Sequence, residues 1–146
     1  MSVLEIVVAA TLAGVLMGMV SEVGYQARVF KSSLIRVDGK FALDITGLKE
    51  LEVTIYKLGI PIHLATSATF GLVYFGVIKV LDYDADSASV IAVYVLLLWF
   101  SMLFAALPTA GQGLLGRKAG HFTWIEQLAL HVVFGVMYWW NLTWLG

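Results

Sequence analysis

The sequence predicts an all-α integral membrane protein: a four-helix bundle with a small cytoplasmic β-hairpin in its first loop. Three observations predict this fold class. The chain is 60% hydrophobic and 13% charged, with a mean hydropathy of +0.89, whereas soluble domains are roughly 45–50% apolar. It contains four apolar stretches, each long enough to cross a bilayer. An Asp-Gly pair also lies between two short β-prone runs in the longest connection.

The four predicted spans cover approximately residues 4–23, 59–79, 89–108 and 124–145. The first span follows a start that lacks the positive region of a secretory signal peptide, so we interpret it as a retained helix. Four spans use more than half of the 146 residues, which leaves room for one membrane domain, residues 1–146, and little soluble mass. The only sizeable extramembrane piece is the loop at residues 25–57.

That first loop carries the predicted hairpin. Asp38 and Gly39 separate two short runs between Leu34 and Leu43, and an Asp-Gly pair in this setting is typical of a type I′ turn. An isolated two-stranded ribbon is only marginally stable in water. We therefore expect this hairpin to lean on the membrane surface or on a partner.

Basic residues predict the orientation. The first and third connections hold eight of the nine lysines and arginines, whereas the second contains Asp82, Asp84 and Asp86. By the positive-inside rule the first and third connections face the cytoplasm. The sequence therefore predicts a multi-pass protein of the cell membrane with both termini on the non-cytoplasmic side. The eight basic residues are Arg28, Lys31, Arg36, Lys40, Lys49, Lys57, Arg117 and Lys118.

Composition excludes several classes of function. The chain has no cysteine, so disulfides, thiolate metal sites and dithiol redox motifs are excluded. A net charge of -1 and the absence of a long basic run argue against a nucleic-acid partner. Apart from the two histidines, no charged residue falls in the middle of a span, which argues against an ion-coupled transporter.

Small residues predict where helices pack. In the first span, Ala10, Gly14 and Gly18 recur at four-residue spacing and form a stripe that lets another helix approach, within the bundle or in another subunit. The second and fourth spans repeat the pattern Phe-Gly-x-x-Tyr around Gly71 and Gly135. This repeat suggests a duplicated two-helix unit, although chance repetition is an equal alternative in so aromatic a sequence.

The candidate site centres on His63 and His131. Each lies about one turn inside the predicted cytoplasmic edge of its span, in helices that run in the same direction. Ionisable groups at membrane depth usually face protein or water and often mark function. We expect a polar layer near the inner leaflet that also includes Glu22, Gln112, Glu126 and Gln127.

Three interpretations of the two histidines remain open. Each could be a structural residue hydrogen-bonded to water or backbone. The pair could ligate a haem axially or hold another tetrapyrrole, as in four-helix membrane cytochromes, or the histidines could belong to a quinone or metal site. His121 lies in the third connection, and we expect it to face solvent or lipid head groups. The sequence predicts no defined metal-ligand set and no catalytic constellation.

The sequence from Ile60 to His63 leading to Gly71 and Tyr74, and then from Leu130 to His131 leading to Gly135 and Tyr138, resembles an uncharacterised group of small prokaryotic four-helix membrane proteins. The resemblance covers about two helices. It implies the topology and says nothing about activity.

Three functional hypotheses follow. The first is a non-catalytic accessory or structural subunit of a larger membrane complex, plausibly a respiratory or other oxidoreductase assembly, with the bilayer and other membrane subunits as its partners. The second is a redox carrier that holds haem or another tetrapyrrole between His63 and His131. The third is a small inner-leaflet enzyme that acts on a lipid or quinone and uses Glu22 or either histidine for proton transfer.

Overall fold

The computed structural model describes all 146 residues and contains five helices and no strand. Helix α1 covers Val3–Gln26, α2 covers Leu34–Thr46 and α3 covers Glu52–Leu81. Helix α4 runs continuously over Ala88–Thr109, and α5 covers Thr123–Leu145. A single 3₁₀ turn at Leu114–Gly116 lies between α4 and α5.

Four of these helices, α1, α3, α4 and α5, are long and apolar enough to cross a membrane. This is consistent with a multi-pass membrane protein whose outer faces contact lipid. Helix α3 has 30 residues and is about 45 Å long, which exceeds the roughly 30 Å hydrocarbon core of a bilayer. Its first turns therefore continue past the predicted span, and α2 packs against them.

The predicted β-hairpin is wrong, because residues 34–46 form the amphipathic helix α2. Ser33 caps its start by accepting the backbone N–H of Arg36, and Gly47 ends it in the left-handed conformation. The buried apolar residues of α2 follow helical rather than alternating spacing: they are Leu34, Val37, Ala42 and Leu43.

Gly39 of the Asp-Gly pair that suggested a turn has a packing role inside α2. A Cβ atom on Gly39 would lie 2.2 Å from the carbonyl oxygen of Ile55, and one on Gly59 would lie 2.1 Å from the carbonyl oxygen of Ile35. The two glycines therefore let the backbones of α2 and α3 touch. Tertiary packing against α3 overrides the local turn preference of Asp38-Gly39.

Helix α1 lies between α3 and α5, while α4 packs on α5 and α2 packs on α3. The two ends of the bundle differ. The termini end holds Met1 and Gly146, which lie close enough to touch, and the connection at residues 82–87. The loop end holds α2 and the connection at residues 110–122.

The small-residue stripe of α1 lies against α3 inside the bundle. Ala10 faces Gly71, Gly14 faces Ser67 and Gly18 faces His63. A Cβ atom on Gly14 would lie 2.0 Å from the Ser67 hydroxyl oxygen, so only glycine fits there. These three levels form one continuous seam, and they bring His63 against the backbone of α1.

Three tyrosine rings fill the core towards the termini end. The ring of Tyr74 lies 5.1 Å from that of Tyr94 and 5.3 Å from that of Tyr138, measured between centroids. The Tyr94 hydroxyl donates to the Phe70 carbonyl at 2.7 Å, which joins α4 to α3. The hydroxyl of Tyr138 is buried without a partner.

Helix α4 changes its winding towards the loop end. Residues Met102–Ala106 form one π-helical turn, and Pro108 follows near the end of the helix. A π-turn displaces the side chains that follow it, and such turns often occur at functional sites. Here Met102, Ala105 and Ala106 of the turn line a cavity inside the bundle.

Candidate functional site

A cavity of about 400 Å³ lies between α3 and α4 in the half of the bundle nearer the loop end. Phe70 and Phe134 line its side nearer the termini end, and residues of α2 line its side nearer the loop end. Ser101, Ala105 and Thr109 line it and remain exposed, so it opens on the α4 side. Its volume and mainly apolar lining are typical of ligand sites.

His63 stands at one wall of this cavity and is held on both ring nitrogens. Its Nδ1 lies 2.9 Å from a carboxylate oxygen of Asp38, and its Nε2 lies 3.0 Å from the carbonyl oxygen of Gly14. Ser67 donates to the His63 carbonyl oxygen at 2.8 Å. His63 thereby connects α1, α2 and α3.

The partners of His63 define where its protons lie. A carbonyl oxygen can only accept, so Nε2 carries a proton and donates to Gly14. Nδ1 then either donates to ionised Asp38 or accepts from protonated Asp38, and in both states the pair shares one proton and has no net charge. Pairing of this kind is the form in which charged groups are tolerated at low dielectric.

His131 lines the same cavity but is held differently. Its Nδ1 lies 2.8 Å from the carbonyl oxygen of Gln127 in its own helix. Because that carbonyl can only accept, Nδ1 carries the proton, and the Nε2 of a neutral ring has a free lone pair. No group of the protein lies within hydrogen-bond distance of this Nε2, so His131 can accept a hydrogen bond or ligate a metal centre there.

The structure thus places the two predicted histidines on one cavity and adds Asp38, which the sequence analysis had assigned to a turn. A helical interpretation of residues 34–43 would have found it, because Leu34, Val37, Asp38 and Phe41 recur at spacings of three and four and all line the cavity. Pairing with His63 could not be inferred from spacing.

The other residues of the expected polar layer lie at the loop end, but not in the cavity. Glu22 accepts from Ser33 at 2.6 Å and from Tyr56 at 2.7 Å, which ties α1 to α2 and α3. Glu126 accepts the backbone N–H of Lys31 at 2.8 Å. Gln127 is fully buried, and neither atom of its amide has a partner.

Arg36 extends the Glu22 network towards solvent. Its guanidinium forms an ion pair with Glu52 and lies over the rings of Tyr25 and Tyr56 at 5.3 and 6.0 Å. The hydrogen bond to Glu52 raises the pKa of Arg36, so this side chain stays charged. The network fixes the start of α2 against the bundle.

His121 lies apart from both cavity histidines on an exposed stretch beside Phe122. No group of three or more histidine, aspartate or glutamate side chains in the chain could hold a metal ion. The three histidines therefore do not form one metal site.

Comparison of the chain with protein-family models, with curated proteins and with solved structures finds no match. The functional argument therefore depends on the geometry of the cavity and of its polar groups.

Proposed function

We propose that the protein binds, within the membrane, an amphiphile that has an apolar tail and a hydroxyl-bearing ring as its head group, such as a quinol. The observation that carries this proposal is that His131, whose Nε2 has no hydrogen-bond partner in the protein, lines an apolar cavity of about 400 Å³. The cavity would take the ring and the first part of the tail. The lone pair of Nε2 would accept the hydroxyl of the head group.

Further polar groups support the same class of ligand. Thr66 and Ser101 line the cavity beside its apolar walls. The Ser101 hydroxyl donates to the Leu97 carbonyl at 3.0 Å but can still accept, so a ring with two oxygen substituents could find more than one partner. His63 contributes a wall and not a free nitrogen, because both of its ring nitrogens are engaged. A few polar groups in an apolar cavity orient a ligand while the apolar surface supplies most of the binding free energy.

The open side of the cavity supports entry from the bilayer. The exposed lining residues Ser101, Ala105 and Thr109 lie on α4 next to the π-turn, where α3 and α4 are apart. A bilayer-soluble molecule could pass between these two helices without entering water. Such a route suits a quinol better than a water-soluble substrate.

The tetrapyrrole hypothesis fits this geometry less well. His131 offers a lone pair for haem iron, but His63 would have to give up its bond to Gly14 or to Asp38 before it could ligate. Axial ligation by both histidines therefore requires a rearrangement of the α1–α3 seam. A visible absorption band in protein from native membranes, lost in a His131→Ala variant, would favour a tetrapyrrole over a quinol.

The experiment that tests the proposal measures binding of a short-tailed benzoquinol to the purified protein in detergent. We expect the quinol to raise the apparent melting temperature, and solvent extraction of protein from native membranes to yield a quinone by mass spectrometry. Ala105→Phe would fill the cavity from its open side and should abolish the shift. Val93→Phe lies on the same helix outside the cavity and should leave the shift unchanged.

Two outcomes would contradict the proposal. One is an unchanged melting temperature of the wild-type protein at saturating quinol together with no quinone in the extract. The other is equal binding by the wild-type protein and the Ala105→Phe variant, which would place the ligand elsewhere on the surface.

A second candidate is the non-catalytic subunit of a larger membrane complex. It is favoured by a groove of about 380 Å³ between α4 and α5, which is lined mainly by large apolar side chains and His131 but also by the small residues Ala88, Ala92 and Gly135. Small residues let a helix of a neighbouring subunit approach closely. Migration of the 16.0 kDa chain within a much larger complex on a native gel would support this role, and migration alone would contradict it.

We also propose that the loop end faces the cytoplasm and both termini face outwards in the cell membrane. Eight of the nine basic residues lie at the loop end, and the positive-inside rule supports this orientation. Because the chain has no cysteine, single Leu48→Cys and Tyr83→Cys variants can report it. An impermeant maleimide added to intact cells should label the variant at residue 83 only, and labelling at residue 48 only would reverse the orientation.

A further inference from the structure

We infer that a second, basic cavity at the loop end binds the phosphate head group of an anionic membrane lipid. This cavity has a volume of about 260 Å³ and lies between the start of α2 and the connection that follows α4. Four cations line it, Lys31, Arg36, Lys40 and Lys118, and no carboxylate does. It shares no lining residue with the cavity of His63 and His131, so the inference does not depend on the proposed function.

Two of the four cations, Lys31 and Lys118, have no ion-pair partner in the protein and are free to pair with an anionic ligand. Arg36 pairs with Glu52, and Lys40 pairs with Glu50 at 3.2 Å. Lys31 and Lys118 have no carboxylate within ion-pair distance, because the chain forms only one further ion pair, between His63 and Asp38. The positive potential of the cavity is therefore not cancelled within the molecule.

The glycines of the connection position both free lysines. A Cβ atom on Gly113 would lie 3.1 Å from Cγ of Lys118, and one on Gly120 would lie 2.9 Å from Cγ of Lys31. Each lysine stem therefore lies directly on a glycine of this segment. The backbone N–H of Lys118 also donates to the carbonyl of Gln112 at 2.9 Å, which closes the loop.

A neutral donor completes the site. Gln112, which lines the cavity, accepts the Ser32 hydroxyl on its amide oxygen at 2.8 Å, and its amide nitrogen has no hydrogen-bond partner in the protein. Ammonium groups together with amide N–H donors suit a phosphate, which offers several strong acceptor oxygens. Glu126 is close by, but its carboxylate is bound to the backbone N–H of Lys31 and does not line the cavity.

The position of the cavity favours a lipid over a soluble phosphate. It lies where α1 and α4 end and α2 begins, which is the level of the lipid head groups if α1 and α4 cross the bilayer. Basic clusters immediately beside membrane helices attract anionic lipids of the cytoplasmic leaflet.

The test uses the full-length protein, delipidated in detergent and titrated with dioctanoyl phosphatidate while binding is followed by native mass spectrometry. Each basic residue near the membrane contributes about fivefold to the binding of anionic lipid, so the double variant Lys31→Gln/Lys118→Gln should bind about 30-fold more weakly. Lys31→Arg/Lys118→Arg should bind close to wild type. Lys49→Gln/Lys57→Gln removes two charges from the same end, outside the cavity, and should change affinity by less than about fivefold.

Three results would overturn the inference. Equal affinity of the wild type and the double glutamine variant would remove the site, as would equal binding of dioctanoyl phosphatidylcholine. Sodium phosphate that displaces phosphatidate at equal concentration would overturn the assignment to a lipid and leave a soluble phosphate as the ligand. A melting curve of the glutamine variant like that of the wild type shows that weaker binding is not caused by unfolding.

Discussion

His63 and His131 line one cavity from two helices that share the Phe-Gly-x-x-Tyr pattern, yet the structure gives them opposite surroundings. They are not at corresponding positions of the pattern, because His63 precedes its glycine by eight residues and His131 by four. His63 has a partner on each ring nitrogen, from two other helices. His131 also lines the cavity but has only one partner, on Nδ1 and in its own helix, so its Nε2 is free. The difference shows that lining the same cavity does not give two histidines the same role, because the neighbouring helices decide which ring nitrogens have partners.

The glycines of the two copies differ in the same way. Gly71 lies against the backbone of α1, while Gly135 lies against a side chain of α4. The α3 copy therefore belongs to the tightly packed seam and the α5 copy to a looser contact. The predictions that follow test this contrast between the tightly packed α3 copy and the looser α5 copy, and the contrast between the two histidines.

The largest effect is expected from Gly71→Ala. The added Cβ would lie 2.8 Å from Cα of Val7 and 3.1 Å from the carbonyl oxygen of Ile6, and backbone atoms cannot move aside as a side chain can. We expect the free energy of unfolding to fall by about 3 kcal/mol, at the upper end of overpacking effects. Unfolding in mixed micelles, followed by tryptophan fluorescence, measures it.

Two matched variants serve as controls for Gly71→Ala. In Gly135→Ala the new Cβ would lie 3.2 Å from Cγ2 of Val95, which can adjust, so the change should stay within about 1 kcal/mol. Gly76→Ala has no atom within 4 Å and should stabilise by up to about 1 kcal/mol through helix propensity. Equal destabilisation by the changes at residues 71 and 135 would remove the contrast between the copies.

The second effect in size is expected from Asp38→Ala. This change leaves Nδ1 of buried His63 without its partner, and an unsatisfied buried polar group costs about 1–3 kcal/mol. Asp44→Ala is the matched control, because Asp44 is exposed on the same helix and forms no side-chain hydrogen bond or ion pair. The same unfolding measurement applies, and equal stability of the two variants would show that the Asp38 contact contributes nothing.

The third effect concerns ligand affinity and rests on the proposed function. His131→Leu replaces the ring with an apolar side chain of similar size and removes the hydrogen-bond acceptor. We therefore expect benzoquinol to bind about tenfold more weakly, which is equivalent to the loss of one good hydrogen bond. His63→Leu should lower stability and change affinity by less than about threefold, because His63 offers no free nitrogen. If only His63→Leu weakens benzoquinol binding, His63 binds the ligand and His131 is the structural histidine.

The sequence predicted much of the bundle, because bilayer thickness and hydropathy together fix the number of spans. It failed at residues 34–43, where a local turn signal at Asp38-Gly39 competed with helical packing on α3. The choice depends on contacts with Ile55 and Gly59, which are distant in sequence. The turn preference of Asp38-Gly39 could not outweigh these packing contacts.

The candidate site was predictable in part. Both histidines were found from their depth in the spans, but their different hydrogen bonding was not, because it depends on which helix lies opposite each ring. The carbonyl of Gly14 is available to His63 only because Gly18 also lacks a side chain, whose Cβ would lie 2.9 Å from Nε2. Asp38 was missed because its helix was missed.

The smallest effect on stability is expected from Asp38→Asn. This variant tests whether the contact between His63 and residue 38 requires the negative charge of a carboxylate. A neutral His63 can donate from Nε2 to Gly14 and accept on Nδ1 from the new amide, so every group keeps a partner. The loss of stability should therefore stay within about 1 kcal/mol, smaller than in Asp38→Ala. Nitrogen NMR of ¹⁵N-histidine-labelled protein should show Nδ1 of residue 63 without its proton. If Asp38→Asn instead loses as much stability as Asp38→Ala, the charge of the Asp38 carboxylate is what holds His63, and the two residues form a true ion pair.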